Sequence, residues 1–282
     1  MNCAPLQITT PIRRFLEEAL AEDIGCGDIT TLLTIDAQKR SEALIVAKQD
    51  MLLAGATLAA EVFRLSDSST EFILNCSEGD FIRKGEKIAK VQSSTHALLS
   101  SERVALNILQ QLSGIATLTL KYVEAVSGLS VKILDTRKIM PGIRSMAKYA
   151  VRIGGGFNHR NALYDGILIK DNHITACGGI QNSLYRIRKS APQLLKIEVE
   201  VKNIVELHEA LSAEADIIML DNMDIEAMKE AVGIVDGRIP LEASGNVNLE
   251  NVRSIAETGV NMISVGALTH SAPAADISMQ IR

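Results

Sequence analysis

Six short apolar runs in the second half of the chain, each closed by polar or charged residues, limit the possible folds more than any other feature. They are VKILDTRK from Val131, GILIKDNH from Gly166, KIEVEVKN from Lys196, DIIMLDN from Asp216, IPLEASGN from Ile239 and MISVGALT from Met262. Glu200, Asp221, Ser244 and Val265, at corresponding ends of the last four runs, stand 21, 23 and 21 residues apart, room for one strand and one helix. Between the runs, IVELHEALSA and IEAMKEAV repeat apolar residues at three and four. Asn203 and Asp224 stand where N-caps belong, and Gly259 where a helix would stop. Repeated strand-helix units with strands this apolar predict a parallel sheet covered on both faces, and such repetition commonly curls into a barrel. Six strands, or seven if a weaker segment is counted, fall short of eightfold closure.

The first 110 residues follow a different, α+β pattern. Helices are predicted at about 10–22 and 56–65, and EALIVAK and TEFILNC read as strands. EGDFIRKGEKIAKVQ, with Gly79 and Gly85 flanking a short apolar alternation, is similar to half of a lipoyl or biotinyl carrier motif but lacks the modified-lysine turn. A long helix, about 97–112, carries Glu102 and Arg103 and leads toward the repeated units through Ser113 and Gly114. No low-complexity linker separates the halves.

Composition narrows the function classes. With no Trp and 3% aromatics there is little with which to stack bases, so nucleic acid is not an expected partner. The N-terminus lacks a signal-peptide apolar core, and no segment approaches the roughly 20 apolar residues needed to span a bilayer. A cytoplasmic protein with no membrane partner is expected. Cys3, Cys26, Cys76 and Cys177 form no CxxC pair, which predicts four reduced thiols rather than a disulfide framework or zinc site. Net charge is -5, yet from Lys132 to Lys170 eight bases face only two acids. Because the Debye length is about 8 Å at physiological salt, an anion in a cleft responds to that local excess rather than to the distant surface.

In α/β barrels the loops after the strands build the site. Here the strand ends carry Thr136, Arg137 and Lys138, then Lys170, Glu200, Asp221, Ser244 with Gly245 and Asn246, and Gly266. Cations on early strands, carboxylates on middle ones and small residues at the close suit a ligand with several anionic groups. Bases pair with carboxylate or phosphate, acids hold a metal or ribose hydroxyls, and glycine turns admit phosphate to main-chain N–H groups. The bland alternative is six ordinary solvated strand ends. In IGGGFNHR, no GxGxxG opens a helix, so Gly154–Gly156 are read as a turn that aims His159 and Arg160 into the basic cleft. A plain hydrogen-bonded loop histidine is the alternative for His159. Arg144, Lys148 and Arg152 fall at helical spacing and read as a solvated face, and His173 reads either as structural or as a support behind residues that touch the ligand.

DTRKIMPGIRSMAKYAVRIGGGFNHRNALYDGILIKDNHI, together with EVEV, IIMLDN, ASGN, ISVGALTH, EDIGCGDITT and SSERVALNILQQLSGIAT, closely resembles the quinolinate phosphoribosyltransferase family over nearly the whole chain. The resemblance implies an α/β fold, with an N-terminal α/β sandwich domain at 1–112, joined by the tail 271–282, and an incomplete, seven-stranded α/β barrel at 113–270. It implies quinolinate binding by Arg137, His159, Arg160 and Lys170, with Arg103 reaching in from the neighbouring subunit of a homodimer or larger assembly. Lys138, Glu200 and Asp221 match positions around phosphoribosyl pyrophosphate and its magnesium ion, all three catalytic and the two acids candidate metal ligands, direct or indirect, and Thr136 is counted with the substrate-binding residues. Ser244, Gly245, Asn246, Val265, Gly266 and Ala267 match the phosphate loops. The implied reaction makes nicotinate mononucleotide, pyrophosphate and carbon dioxide for NAD biosynthesis. Its rivals are a Schiff-base aldolase using Lys170 or Lys138, a molybdenum-transport-associated homologue of the same fold, and the carrier module above.

Overall fold

The computed structural model describes residues 6–282. In chain order it contains α1 (Thr10–Ile24), α2 (Ile29–Thr34), β1 (Arg40–Ala47), β2 (Met51–Leu52), α3 (Ala56–Ser66), β3 (Glu71–Leu74), β4 (Phe81–Ile82), β5 (Lys87–Ser94) and α4 (Thr95–Ala125). There follow β6 (Lys132–Leu134), α5 (Arg144–Ile153), β7 (Ile167–Ile169), α6 (Asp171–Cys177), α7 (Ile180–Arg188), β8 (Ile197–Val201), α8 (Ile204–Ser212), β9 (Ile217–Asp221), α9 (Ile225–Val235), β10 (Leu241–Ser244), α10 (Val252–Ala256), β11 (Met262–Ser264), α11 (Ala267–His270) and β12 (Ile277–Ile281). They divide into two compact units. One comprises the chain up to Leu120 with Pro141–Gly155 and Ala272–Arg282, the other Lys121–Met140 with Gly156–Ser271. The division assigns 113–120 and 141–155 to the first unit, whereas the boundary drawn from the sequence fell at 112.

The first unit holds a four-stranded antiparallel sheet in the order β12-β1-β5-β3, closed at one edge by the C-terminal strand. On α1, Pro11 stands at the start, where its missing N–H is an orphan anyway, and Ile12, Leu16 and Leu20 form one buried stripe at a spacing of four. The helix predicted to end at 112 runs on to Ala125. Ser113 and Gly114 look like a break in sequence but are packing contacts. The Ser113 hydroxyl bonds both N and O of Ala54 at 3.1 Å, and a Cβ on Gly114 would stand 2.1 Å from the Pro273 carbonyl oxygen. The basic stripe on α5 is likewise not a solvated face: Lys148 is 3% exposed, in a buried run from Met146 to Val151, while Arg152 is exposed and sits over the Tyr149 ring. That helix is packed inside its unit, which charge spacing alone does not reveal.

The second unit contains all six strands expected from the apolar runs, every pair parallel, in the order β6-β11-β10-β9-β8-β7. A single-residue bridge between Leu134 and Phe157 adds a rudimentary seventh position beside β6. The result is a partial α/β barrel. Its core is aliphatic, with Val199, Val201, Ile218, Leu220, Ala243 and Ile263 fully buried, and each such Val, Leu or Ile contributes about 1.5–3 kcal/mol by leaving water. The N-caps form as the sequence predicts: Asn203 accepts from the Glu206 N–H at 2.9 Å and Asp224 from the Ala227 N–H at 2.8 Å. Gly259 takes a positive φ of 94° after α10. Cys26, Cys76 and Cys177 are free thiols, and Cys3 lies outside the described residues. Among the described residues, no helix is long and apolar enough to cross a membrane.

Candidate active site

Parallel strands deliver their C-terminal ends to one rim, and in the second unit that rim surrounds a cavity of about 440 Å³. Thr136, Arg137 and Lys138 after β6, and His159 and Arg160 after the glycine turn, line one side. Lys170 after β7, Asp221 at the end of β9, and Ser244, Gly245 and Asn246 after β10 complete the polar wall. Leu168 and Met219 add apolar surface, and Asn222 and Ser264 also take part.

Local geometry fixes each group. The Thr136 hydroxyl accepts from the Lys138 N–H at 3.0 Å, and the Lys138 carbonyl accepts from the Thr269 hydroxyl at 2.8 Å. The Lys138 stem lies over Gly266, where a Cβ would be 3.4 Å from Cδ. The Arg160 guanidinium donates to the Gly166 carbonyl at 2.9 Å, within a loop tied by Asp165 to the N–H groups of Asn161 and Ala162. Burial first, and then the charge of Arg137, draw the pKa of Arg160 below its ordinary value.

Glu200 stands one step behind the wall, buried on β8 and bound to the Lys170 ammonium. Val265 is a core residue whose N–H bonds the Leu134 carbonyl at 2.9 Å, and Gly266 and Ala267 begin the short α11. None of these four residues lines the cavity. Arg103 is exposed on α4 of the first unit. His173 is structural: its Nδ1 accepts from the Lys170 N–H at 3.0 Å and caps α6.

Besides Ser264 and the apolar Leu168 and Met219 of the cavity wall, four contributors escaped the sequence reading. Asp135, fully buried, accepts from the His159 N–H at 2.9 Å and the Asn158 side chain at 2.6 Å. Asn222 and Asn246 both take positive φ, 54° and 50°, and their side chains bond at 3.0 Å. A Cβ on Gly245 would fall 2.2 Å from Asn222 Oδ1, so only glycine fits that corner. The Asn after each strand in LDN and SGN is the available signal, because Asn tolerates the left-handed region.

Glu198 and Glu242, the other two, form a buried acidic pair with His159. His159 Nε2 lies 3.0 Å from Glu198 and 3.8 Å from Glu242, and the Ser264 hydroxyl bonds Glu242. Burial, and then the neighbouring Glu198 carboxylate, push the Glu242 carboxyl up to about 8. The ligand atoms of His159, Glu198 and Glu242 lie within 4.8 Å of one another, a spacing a divalent ion could also fill.

Comparison with known proteins decides the family. The quinolinate phosphoribosyl transferase N-terminal domain matches residues 28–113 and its C-terminal domain matches 115–280. The chain belongs to the quinolinate phosphoribosyltransferase family. It is 45% identical over 270 residues to a probable nicotinate-nucleotide pyrophosphorylase [carboxylating] of Bacillus subtilis, covering 96% of this chain and 93% of that one. A Synechocystis protein of the same description is 43% identical, with 100% and 95% covered. Among solved structures, NadC from Streptococcus pyogenes superposes with a TM-score of 0.95 at 39% identity, 99% of each chain being covered. The nicotinate-nucleotide pyrophosphorylase from Francisella tularensis gives 0.92 at 41%, with 96% of each covered. The carrier-domain alternative therefore falls away.

Proposed function

We propose that this chain joins quinolinate to phosphoribosyl pyrophosphate and releases pyrophosphate and carbon dioxide, leaving nicotinate mononucleotide for NAD biosynthesis. The carrying observation is that one cavity gathers Arg137, Arg160 and Lys170 together with Asp221, in a chain that matches both family domains. Arg137, Arg160 and Lys170 orient the two ring carboxylates so that the pyridine nitrogen faces the anomeric carbon. As the bond to pyrophosphate breaks, positive charge develops on the ribosyl group, and Asp221, with Glu200 held beside Lys170, stabilises it. Lys138 offsets charge on the departing pyrophosphate. Main-chain N–H groups at Ser244–Asn246, which line the cavity, receive the 5′-phosphate; Val265 does not join them, because its N–H already bonds the Leu134 carbonyl. The carboxylate beside the ring nitrogen then leaves as carbon dioxide; the electron pair of the broken C–C bond stays on that ring carbon, stabilised by the adjacent quaternised nitrogen, until a proton from water takes the vacated position.

Magnesium fits this donor set as a companion of phosphoribosyl pyrophosphate. Asp221 offers a carboxylate in the cavity wall whereas Glu200 is committed to Lys170, and magnesium is usually held by one or two carboxylates plus substrate phosphates. Bound there, it would neutralise pyrophosphate charge. A homodimer or larger homo-oligomer, Arg103 donated across its interface and a cytoplasmic location complete the proposal. The aldolase reading is disfavoured because Lys170 is ion-paired with Glu200 rather than enclosed in the apolar pocket that an imine-forming lysine requires.

Incubation with quinolinate, phosphoribosyl pyrophosphate and magnesium, following carbon dioxide and mononucleotide, tests the reaction, and nicotinate, lacking the second carboxylate, is expected to be inert. Arg160→Ala is expected to weaken quinolinate binding by at least about thirtyfold, the loss of about 2 kcal/mol from one charged contact. Unchanged quinolinate affinity and turnover in that variant would remove Arg160 from the assignment.

A further inference from the structure

We infer that Glu198, backed by Glu242, is a positioning residue that locks His159 as its neutral Nε2–H tautomer, and that His159 in this form braces the Arg160 main chain rather than serving as another cation for the ligand. The inference deepens the functional reading above and rests on it for its kinetic consequence, but its structural half stands alone.

The two ring nitrogens of His159 meet different partners. The Arg160 N–H donates to His159 Nδ1 at 2.8 Å, so Nδ1 presents a lone pair and carries no proton. Nε2 lies 3.0 Å from a Glu198 carboxylate oxygen, an acceptor, so Nε2 carries the proton. A doubly protonated ring would set an Nδ1–H against the Arg160 N–H, and the Nδ1–H tautomer would also leave Nε2 facing a carboxylate with no proton between them. Each would cost at least one buried hydrogen bond.

The remaining contacts make the ring a fixed strut. Its residue is held at the main chain by Asp135, at 2.9 Å, and Glu242 stands 3.8 Å from Nε2, itself bound to Ser264. His159 thereby fixes the start of Arg160, while the Gly166 carbonyl fixes the guanidinium end at 2.9 Å. The Arg160 stem runs between these two anchors across Gly166, where a Cβ would stand only 3.0 Å from Arg160 Cβ. With its N–H turned toward Glu198, the imidazole separates the buried acids from the cavity and adds no positive charge to it. The cationic complement for a dicarboxylate is then Arg137, Arg160 and Lys170, with Lys138 reserved for phosphate.

The test begins with protein labelled with 15N at histidine and free of substrate, assigned by the peak missing from His159→Gln. Two-bond 1H–15N correlations at neutral pH are expected to show the Nε2–H tautomer for His159. An imidazolium, an Nδ1–H ring, or a stoichiometric metal found on Nε2 by elemental analysis would overturn the inference. Glu198→Gln keeps an acceptor without the charge and is expected to preserve both the tautomer and most of the quinolinate KM. Glu198→Leu is expected to raise that KM about tenfold, the value of one hydrogen bond to a charged partner, with the KM for phosphoribosyl pyrophosphate held within about twofold. Equal loss in the Gln and Leu variants would mean that charge, not position, is what Glu198 supplies, and would also overturn it. If Glu198→Leu does not fold, the wild-type and Glu198→Gln spectra still decide. If the wild-type protein ignores quinolinate, the functional reading fails while the tautomer result keeps its meaning.

Discussion

A carboxyl group inside a parallel sheet has no water to share its charge, and Glu242 shows the consequence. Its ordinary value of 4.5 is raised to about 8 by burial and by Glu198. Below 4.5 the folded and unfolded chains both hold the proton, so the group takes nothing from stability there. Above it, the folded protein keeps a proton that the unfolded chain has lost, and stability falls progressively until about pH 8. Glu242→Gln removes that term. Thermal unfolding of the variant is expected to show a flatter pH dependence than wild type across this window, and parallel curves for the two proteins would refute the assignment. At this scale the sequence showed which residues had chemistry to offer, as with Arg160 and Lys170, but not which of them were already engaged. The Lys170–Glu200 pair and the His159–Glu198 contact join residues 30 and 39 positions apart, and nothing local records them.

Elements were legible where their signals were local. Asn203 and Asp224 cap α8 and α9 because a short polar side chain can reach back to an orphan N–H. Asp224→Ala is expected to cost about 1 kcal/mol in urea unfolding, with little change in activity; no loss of stability would show the cap to be idle. Glycines were harder to read, because two different physical needs select the same residue. Gly155 has a positive φ of 84°, the turn that the sequence predicted, but Gly154 is small because a Cβ there would stand 2.5 Å from the Thr119 Cβ. Gly114 is the sharper case. In an isolated helix Gly114→Ala would stabilise by about 1 kcal/mol, but here the new Cβ meets the Pro273 carbonyl oxygen, and overpacking of this kind costs about 1–3 kcal/mol. Net destabilisation in chemical unfolding is expected, and a gain would show that the C-terminal segment yields freely.

For the whole molecule, the proposal that Arg103 serves a neighbouring copy has a direct test. Arg103→Ala and Lys170→Ala are each expected to be inactive alone, and mixing them under conditions of subunit exchange is expected to restore part of the activity through hybrid assemblies with one intact site. No recovery, despite exchange shown by mass spectrometry, would place Arg103 outside the site. The sequence by itself determined the alternation of strands and helices, the parallel sheet, and the cations and acids waiting at the strand ends. These depend on periodicity and capping, which act over a few residues. Only the tertiary structure decided that the alternate glutamates of IEVEV face the barrel interior instead of water, that Lys148 is buried, and that Glu198 and Glu242 meet His159. Such outcomes follow from curling a sheet until one face becomes an inside while helices cover the other, so that all five residues of IEVEV are buried; alternation puts both glutamates on one face but cannot name the partners they meet there.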